Sequence, residues 1–568
     1  MFLHLNTSST KIYDKHDTLL VHLCQHIFKK QLTKIIKNNK GENYQLFLPL
    51  TLEFQVSKDD PVRLLRHCIG GMDIKSLEKT YHRIDRNLAS PRQMLAVLVY
   101  AGMNHIFSSR KIETACRRDI NFMYLLEGKP APDHATISRF RSKHLAPCIK
   151  ELFAQMDFLL EQFGVISLKN IFIDGTKIES FSNKYKFVWK KTVLKNKAKL
   201  MEKIPSFFSK AREEFSLSLH CGSEIHLRHL KKLRRKLKVC QKAQNITFVK
   251  GTGKRKTSLQ KTIEQLDEFM ARLKKYNKYL HILGSRNSFA KTDTDATFMR
   301  MKEDAMKNGQ LKPAYNIQCG TDSEFITWAT VGPQPTDTTT LIPFLQDMES
   351  HLQRRYPNVV ADAGYESEEN YLYLETSGQR SFIKPSNYEQ SKTRKWKKDI
   401  GRRENMTYLA EEDAYLCAQG RKLSVTKEFV RSSRTGFKRN ITLYSSSDCS
   451  NCPVKSQCIH GNHCKTTLEE RTKKFEVSKQ FLRQRQEDLK RITSKEGVQL
   501  RVNRSIQAEG AFAMMKADMN FRRFLSRGTG NVLVETMLLA MAYNIQKLHC
   551  KIQSDRAGQH LFPVDKAA

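Results

Sequence analysis

The chain has 568 residues, 39% of them hydrophobic, with 98 Lys and Arg against 58 Asp and Glu and a net charge of +40. At about 150 residues per domain this predicts roughly three to four domains, each with a core of its own. So large a positive charge selects a polyanionic partner, nucleic acid first, and no apolar stretch approaches the roughly 20 residues that span a bilayer, which excludes a membrane-spanning chain.

The opening "MFLHLNTSSTKIYDKHD" lacks the apolar core and cleavage site of a signal peptide. The 13 Cys are therefore expected as reduced thiols, with any cluster a metal site rather than disulfides. Residues 1–55 are weakly patterned and read as an N-terminal extension. Residues 56–165 read as a helical domain. Its clearest helix is "PRQMLAVLVYAGMNHIF", with Ser90 as N-cap and Pro91 in the first turn. "SSRKIETACRRDINFMYLL" and "APDHATISRFRSKHL" follow as short helices separated by a turn. The second is capped by Asp133 and carries Arg139 and Arg141. The pattern fits a helix-turn-helix, and equally any small helical bundle. Residues 189–284 are helical and basic ("RHLKKLRRKLKVCQK"), either a solvated helical hairpin or a DNA contact. "KPAYNIQCGTDSEFITWATVGPQP" predicts two strands separated by "TDSE". Residues 401–494 are polar, basic and Cys-containing. The last strong helical pattern runs over about 503–550, and 551–568 form a tail.

Two acids follow apolar strand-like runs. Asp174 stands after Ile171, Phe172 and Ile173, and Asp362 after Val359, Val360 and Ala361, a run that suits a strand buried on both faces. Sites in open α/β sheets lie at the carboxyl ends of strands, so the two acids meet if their strands are neighbours; otherwise each merely caps a turn. Glu509 lies in a helical stretch, "NRSIQAEGAFAMMKADMNFRRFLSRG", and at 3.6 residues per turn shares a face with Lys516. Three carboxylates, two on strands and one on a helix, suit hard Mg²⁺ ions. Two such ions about 3.5–4 Å apart serve an in-line displacement at phosphorus, and a basic chain supplies the phosphate contacts.

At these residues the sequence resembles the DDE transposases of bacterial insertion sequences, in a branch seen in Gram-positive bacteria. The likeness is carried by "SSRKIETACRRDINFMYLL", "APDHATISRFR", "KTDTDATFMRMKEDAMKNGQLKPAYNIQ", "TDTTTLIPFL", "ADAGYESEENY" and "EGAFAMMKADMNFRRFLSRG". The resemblance implies an α/β fold, with an RNase H-like mixed-sheet catalytic core over 166–188, 285–400 and 495–550. Residues 189–284 and 401–494 are then insertions. Asp174, Asp362 and Glu509 are implied as catalytic and as ligands of two Mg²⁺ ions, with Mn²⁺ as a substitute. Lys516 matches a lysine that contacts the transposon end. In the wider group an Arg stands four residues before the Glu and a Tyr three before that; here those positions are Ser505 and Val502, with Arg504 and Arg501 nearby. Arg139, Arg141, Arg504, Lys516, Arg522 and Arg523 are the expected DNA contacts. Residues before about 44 match nothing in the family and read as an extension or as an upstream start.

The implied activity is cleavage at the ends of an element in double-stranded DNA, followed by attack of a freed 3′-hydroxyl on target DNA, without a covalent enzyme intermediate. Competing readings are a DNA-binding repressor that has lost catalysis and an RNase H-like nuclease that cuts without joining. A homodimer is expected, since two ends must be held together, and a cytoplasmic, nucleoid-associated location. Cys449 and Cys452 form a CxxC, followed by Cys458 and Cys464, with Cys417 upstream. The preferred structural Zn²⁺ set is Cys417, Cys449, Cys452 and Cys458, with Cys464, His460 or His463 as substitutes; the alternative is a Cys-containing loop without metal.

Overall fold

The computed structural model describes residues 52–219, 225–251, 254–301, 309–461 and 466–559. Most of the expected N-terminal extension, the end of the tail, Cys464 and His463 lie outside these residues. The chain divides into two compact units, Met1–Leu159 with Met541–Ala557, and Leu160–Ala540 with Gly558–Ala568.

The first unit is helical. Pro91–Met103 is its central helix and is buried all round. Ser90 accepts from the Gln93 amide while the Gln93 side chain accepts from the Ser90 amide, so the expected cap is a full capping box. Asp133 likewise caps His134–Arg139 by accepting from the Thr136 amide at 2.6 Å. The next stretch, Phe140–Leu145, winds as a π-helix.

The second unit is built on a six-stranded mixed sheet. Its strands are β1 (Asn170–Glu179), β4 (Thr297–Arg300), β5 (Leu311–Asp322), β6 (Phe325–Gly332), β7 (Asn358–Ala361) and β8 (Arg380–Ile383). β5 and β6 form a hairpin whose turn residues, Ser323 and Glu324, both have positive φ. β5 runs antiparallel to β1, whereas β7 and β8 run parallel to β1 and to each other. The order β6-β5-β1-β7-β8, with β4 against the start of β5, is the RNase H-like mixed sheet expected from the sequence.

Both faces of the sheet are covered. On one, Phe344 of the helix Leu341–Leu352 and Ile171 close over Gly320, where an added Cβ would lie 2.7 Å from Ile171 and 2.9 Å from Phe344. On the other, Leu500, Ala508 and Ile492 pack on Phe172, Val360 and Phe382. The motif "KTDTD" is a structural tie: Asp293 accepts from the Tyr315 hydroxyl and the Gly528 amide, and Asp295 from the Thr529 amide.

Two short strands, β2 (Phe187–Trp189) and β3 (Ser288–Ala290), pair with each other and gather the two ends of the basic insertion. Between them are three helices, Lys190–Glu214, Leu227–Ala243 and Ser258–Leu283, around an apolar core of their own, one more helix than a hairpin would have. The Cys-containing segment is a five-stranded antiparallel sheet, β9 (Thr407–Leu409), β10 (Ala414–Leu416), β11 (Lys422–Ser432), β12 (Lys438–Ser446) and β13 (Lys474–Val477). Tyr415, Leu423, Tyr444 and Val477 form a small core there.

The helix Lys479–Thr493, which the sequence pattern leaves in the Cys-bearing insertion, packs on β8. Asp488 on this helix accepts from the Ile383 amide at 3.1 Å and lies 3.6 Å from Arg491. Burial raises its carboxyl to about 7, against the opposing pull of Ser381, Arg491 and the amide. A carboxyl raised in the folded state gives its full stability below the ordinary carboxylate range, and that stability is lost as pH rises through about 7. Asp488→Asn is expected to flatten the fall in melting temperature between pH 5 and 8; a variant with the wild-type slope contradicts this account.

Candidate functional site

β1 does not end at Asp174, as its apolar run suggested. It continues to Glu179 along β5, and it is the neighbouring strand that stops. Pairing with β7 runs from Asn170↔Asn358 to Ile173↔Ala361. Asp174 and Asp362 are the next residue on each strand, so the two acids stand side by side where the sheet opens. Side chains alternate between faces. Asp174 therefore shares the face of Phe172, and Asp362 that of Val360, which is the face covered by the helical segment bearing Glu509.

That segment is not uniformly α-helical. Lys495–Arg504 is α, Ser505–Glu509 winds as π, Gly510–Ala513 is α, and Met514–Asp518 is again π. Inserted π turns change the angular step, so the two-turn count that put Glu509 and Lys516 on one face does not carry over. Gln507 fixes the segment at the β5–β6 turn by accepting from the Glu324 amide at 3.0 Å. Arg504 then lies between the acids: its guanidinium is 3.7 Å from Asp174 Oδ2 and 3.2 Å from Glu509 Oε1. Asp174 is almost buried, whereas the Glu509 side chain is 58% exposed. Arg501 turns elsewhere, over the Tyr388 ring.

A fourth carboxylate, Asp337, lies against Gly175 and Gly364, close to the two strand acids in the chain, and was not singled out in the sequence. Its Oδ1 accepts from Asn316 Nδ2 at 2.7 Å and Gln318 Nε2 at 3.0 Å, both on β5. A Cβ on Gly175 would lie 2.6 Å from Asp337 Oδ1 and from Gln318 Nε2, so any other residue there would push these side-chain ends away from the residue after Asp174. A Cβ on Gly364 would lie 3.0 Å from Asp362 Oδ1 and 3.5 Å from Asp337 Oδ2. Thr338 donates to the Gly364 carbonyl, and Asn370 donates to the carbonyls of Thr338 and Tyr365, which ties the two loops together. The Tyr365 hydroxyl donates to Gln318 Oε1. Burial first, then the negative potential of Asp337, Asp174 and Asp362, drives the Tyr365 phenol well above its ordinary range, so it stays a donor. The signal for Asp337 was an acid just before "TTTL" at the start of a helix, with glycines following the two strand acids.

Among the expected DNA contacts in this unit, Arg523 donates to the carbonyls of Ser180 and Ser182, fixed to the end of β1, and stacks with Arg527 about Phe181. Arg522 is exposed, and Lys516 lies in the second π segment. In the first unit, Arg139 is exposed beside Thr136, whereas Arg141 donates to the Phe107 carbonyl at 3.0 Å and so braces the domain itself.

Cys417, Cys449, Cys452 and Cys458 line one pocket between the five-stranded sheet and the short helix Lys455–Cys458. The Lys473 amide donates to Cys449 Sγ at 3.3 Å. Burial first, and then the three other thiols, push the Cys458 thiol up, opposed by Lys473. His460 is engaged by Asp399 at 3.1 Å. Among the described residues no three or more His, Cys, Asp or Glu side chains are drawn together closely enough to grip a metal ion. The donor types nonetheless fit: an oxygen-only set at Asp174, Asp362 and Glu509 suits Mg²⁺, and a four-thiol set suits Zn²⁺.

Comparison with known families agrees with the fold. Residues 416–549 match the family described as "Transposase DDE domain", and residues 50–143 match "Transposase domain (DUF772)". Both matches support a transposase of the DDE type, a class whose members are polynucleotidyl transferases that use divalent metals and act on DNA. The first match contains Glu509 and most of the Cys-bearing sheet; Asp174 and Asp362 lie upstream of it and rest on the strand register. No curated protein and no solved structure matches the chain. Among the described residues no helix is long and apolar enough to cross a membrane.

Proposed function

We propose that the protein binds the ends of a bacterial insertion sequence, of the Gram-positive-type branch, and catalyses Mg²⁺-dependent cleavage and strand transfer. The observation that supports this most is the register Ile173↔Ala361, which makes Asp174 and Asp362 neighbours, with Arg504 linking Asp174 to Glu509. These three acids would hold two divalent ions, Mg²⁺ or Mn²⁺. Bound there, such ions supply activation of the attacking oxygen and charge neutralisation at the leaving one. In each step a P–O bond forms to the oxygen of water or of a 3′-hydroxyl, and the P–O3′ bond of the attacked strand breaks.

The protein's own contribution is placement and charge. Asn316 and Gln318 fix Asp337 behind the aspartate pair, so Asp337 is a positioning residue that adds negative potential to the site. Arg504 relieves the repulsion that gathering the acids creates. Arg522 on the exposed surface and Lys516 further along the same segment supply phosphate contacts. A homodimer suits a reaction that joins two DNA ends.

Asp174→Asn, Asp362→Asn and Glu509→Gln are each expected to lower Mg²⁺-dependent cutting of DNA carrying the cognate ends by at least about 100-fold, the scale of losing one aimed electrostatic group. DNA binding should be retained. Normal cutting by Asp174→Asn would refute the assignment, and a wild-type protein that binds the ends without cutting would favour the repressor reading.

We also assign a structural Zn²⁺ to Cys417, Cys449, Cys452 and Cys458. The supporting observation is that four thiols, from the β10–β11 turn, the loop after β12 and a short helix, share one pocket. Protein purified under reducing conditions is expected to carry one zinc per chain, and Cys452→Ser should lose it and melt at lower temperature. Metal analysis finding no zinc, with the sheet equally stable, contradicts the assignment.

A further inference from the structure

The helical insertion holds a disproportionate share of the charge. Residues 190–283 carry 25 Lys and Arg against 7 Asp and Glu, a net +18 of the chain's +40. Within it the helix Leu227–Ala243 contains no acid at all. Its inward face is apolar: Leu230, Leu233 and Leu237 are fully buried in the three-helix core. Two of its bases are tied to neighbouring elements, Arg234 to Asp267 and Lys236 to the Ser218 carbonyl, while Arg228 donates to the adjacent His229 ring.

The others form a row. Arg228, Lys231, Arg235, Lys238 and Lys242 follow at steps of three and four residues, all exposed, with Lys232 beside them. Steps of three and four keep side chains on one face, and fourteen residues at 1.5 Å each make the row about 21 Å long. None of these six has an ion-pair partner among the described residues. A solvated helix face usually alternates signs, because like charges three and four residues apart repel and weaken the helix. A row that keeps only cations is stabilised when a polyanion neutralises it.

We propose that the face bearing Arg228, Lys231, Arg235, Lys238 and Lys242 is a docking surface for the phosphate backbone of duplex DNA. The inference rests on the DNA-processing reading for its partner and adds a contact far in sequence from the acids. Two features argue against a membrane surface and a single strand. A basic amphipathic helix binds membranes by sinking its apolar face among lipids, and here that face is filled by the insertion's own core. Binding of single strands relies on aromatic side chains that stack on bases, and Leu227–Ala243 contains no Phe, Tyr or Trp. A straight row of cations without stacking groups fits a rigid duplex and reads charge rather than sequence.

The test is a salt series on the full-length protein with a duplex of arbitrary sequence, comparing wild type with the triple variant Lys231→Gln, Arg235→Gln, Lys238→Gln. Each phosphate contact contributes about 0.9 to the slope of log K against log salt. The variant should lose about 2 to 3 in slope with an unchanged melting curve. The charge-keeping triple Lys231→Arg, Arg235→Lys, Lys238→Arg should retain the wild-type slope. An unchanged slope in the glutamine triple overturns the proposal, as does equal binding of anionic vesicles or a preference for double-stranded RNA. Asp174→Asn separates the two readings: lost cutting with an unchanged slope in the glutamine triple sinks the docking surface alone. A wild type that binds no duplex at any salt sinks both.

Discussion

A small apolar contact fixes where the three candidate acids stand. Leu500 and Ala508 press on Phe172, Val360 and Phe382, on three adjacent parallel strands. Because strand side chains alternate, the residues two further along β1 and past β7 on that face are Asp174 and Asp362. Because Glu509 follows Ala508, seating the alanine delivers the third acid. The same burial that stabilises the core therefore sets where the three candidate acids stand. Repulsion among the carboxylates works against it, offset by Arg504 and by the amide and side-chain donors around Asp337 and Asp362.

The strand acids were legible because each follows a run of apolar residues short enough to be a buried strand. The caps at Ser90 and Asp133 and the turn at Ser323–Glu324 were legible for a similar reason: local chemistry fixes them. What escaped has physical causes too. Asp337 sits in a loop and packs against Gly175 and Gly364, whose missing side chains carry no periodic signal. The sheet over Thr407–Val477 read as merely polar because β11 exposes nearly all its residues and its core is a handful of aromatic and aliphatic side chains. The π turns around Glu509 obey no 3.6-residue count, so the Lys516 relation drawn from that count has no basis in the winding.

Both insertions are attached without disturbing the sheet. β2 and β3 pair with each other and return the chain beside its departure point, so a three-helix body can be added at the cost of two short strands. The Cys-bearing sheet leaves after β8 and rejoins through Lys479–Thr493, whose buried Asp488 grips the Ile383 amide of that same strand. The core thus keeps its geometry while the helical insertion carries much of the charge: Asp174 and Asp362 stand at one opening of the sheet with Arg504 beside Asp174, and the insertion holds a net +18 of the chain's +40.

Under the proposed function, Asp174, Asp362 and Glu509 converge on one divalent-ion site. This convergence is tested most directly by replacing Mg²⁺ with Fe²⁺ and generating hydroxyl radicals, which cut the polypeptide only within a few ångströms of the bound iron. Three cuts are expected in one preparation, beside residues 174, 362 and 509, all suppressed by excess Mg²⁺. Cuts near only one of the three acids, or at unrelated places, would contradict it.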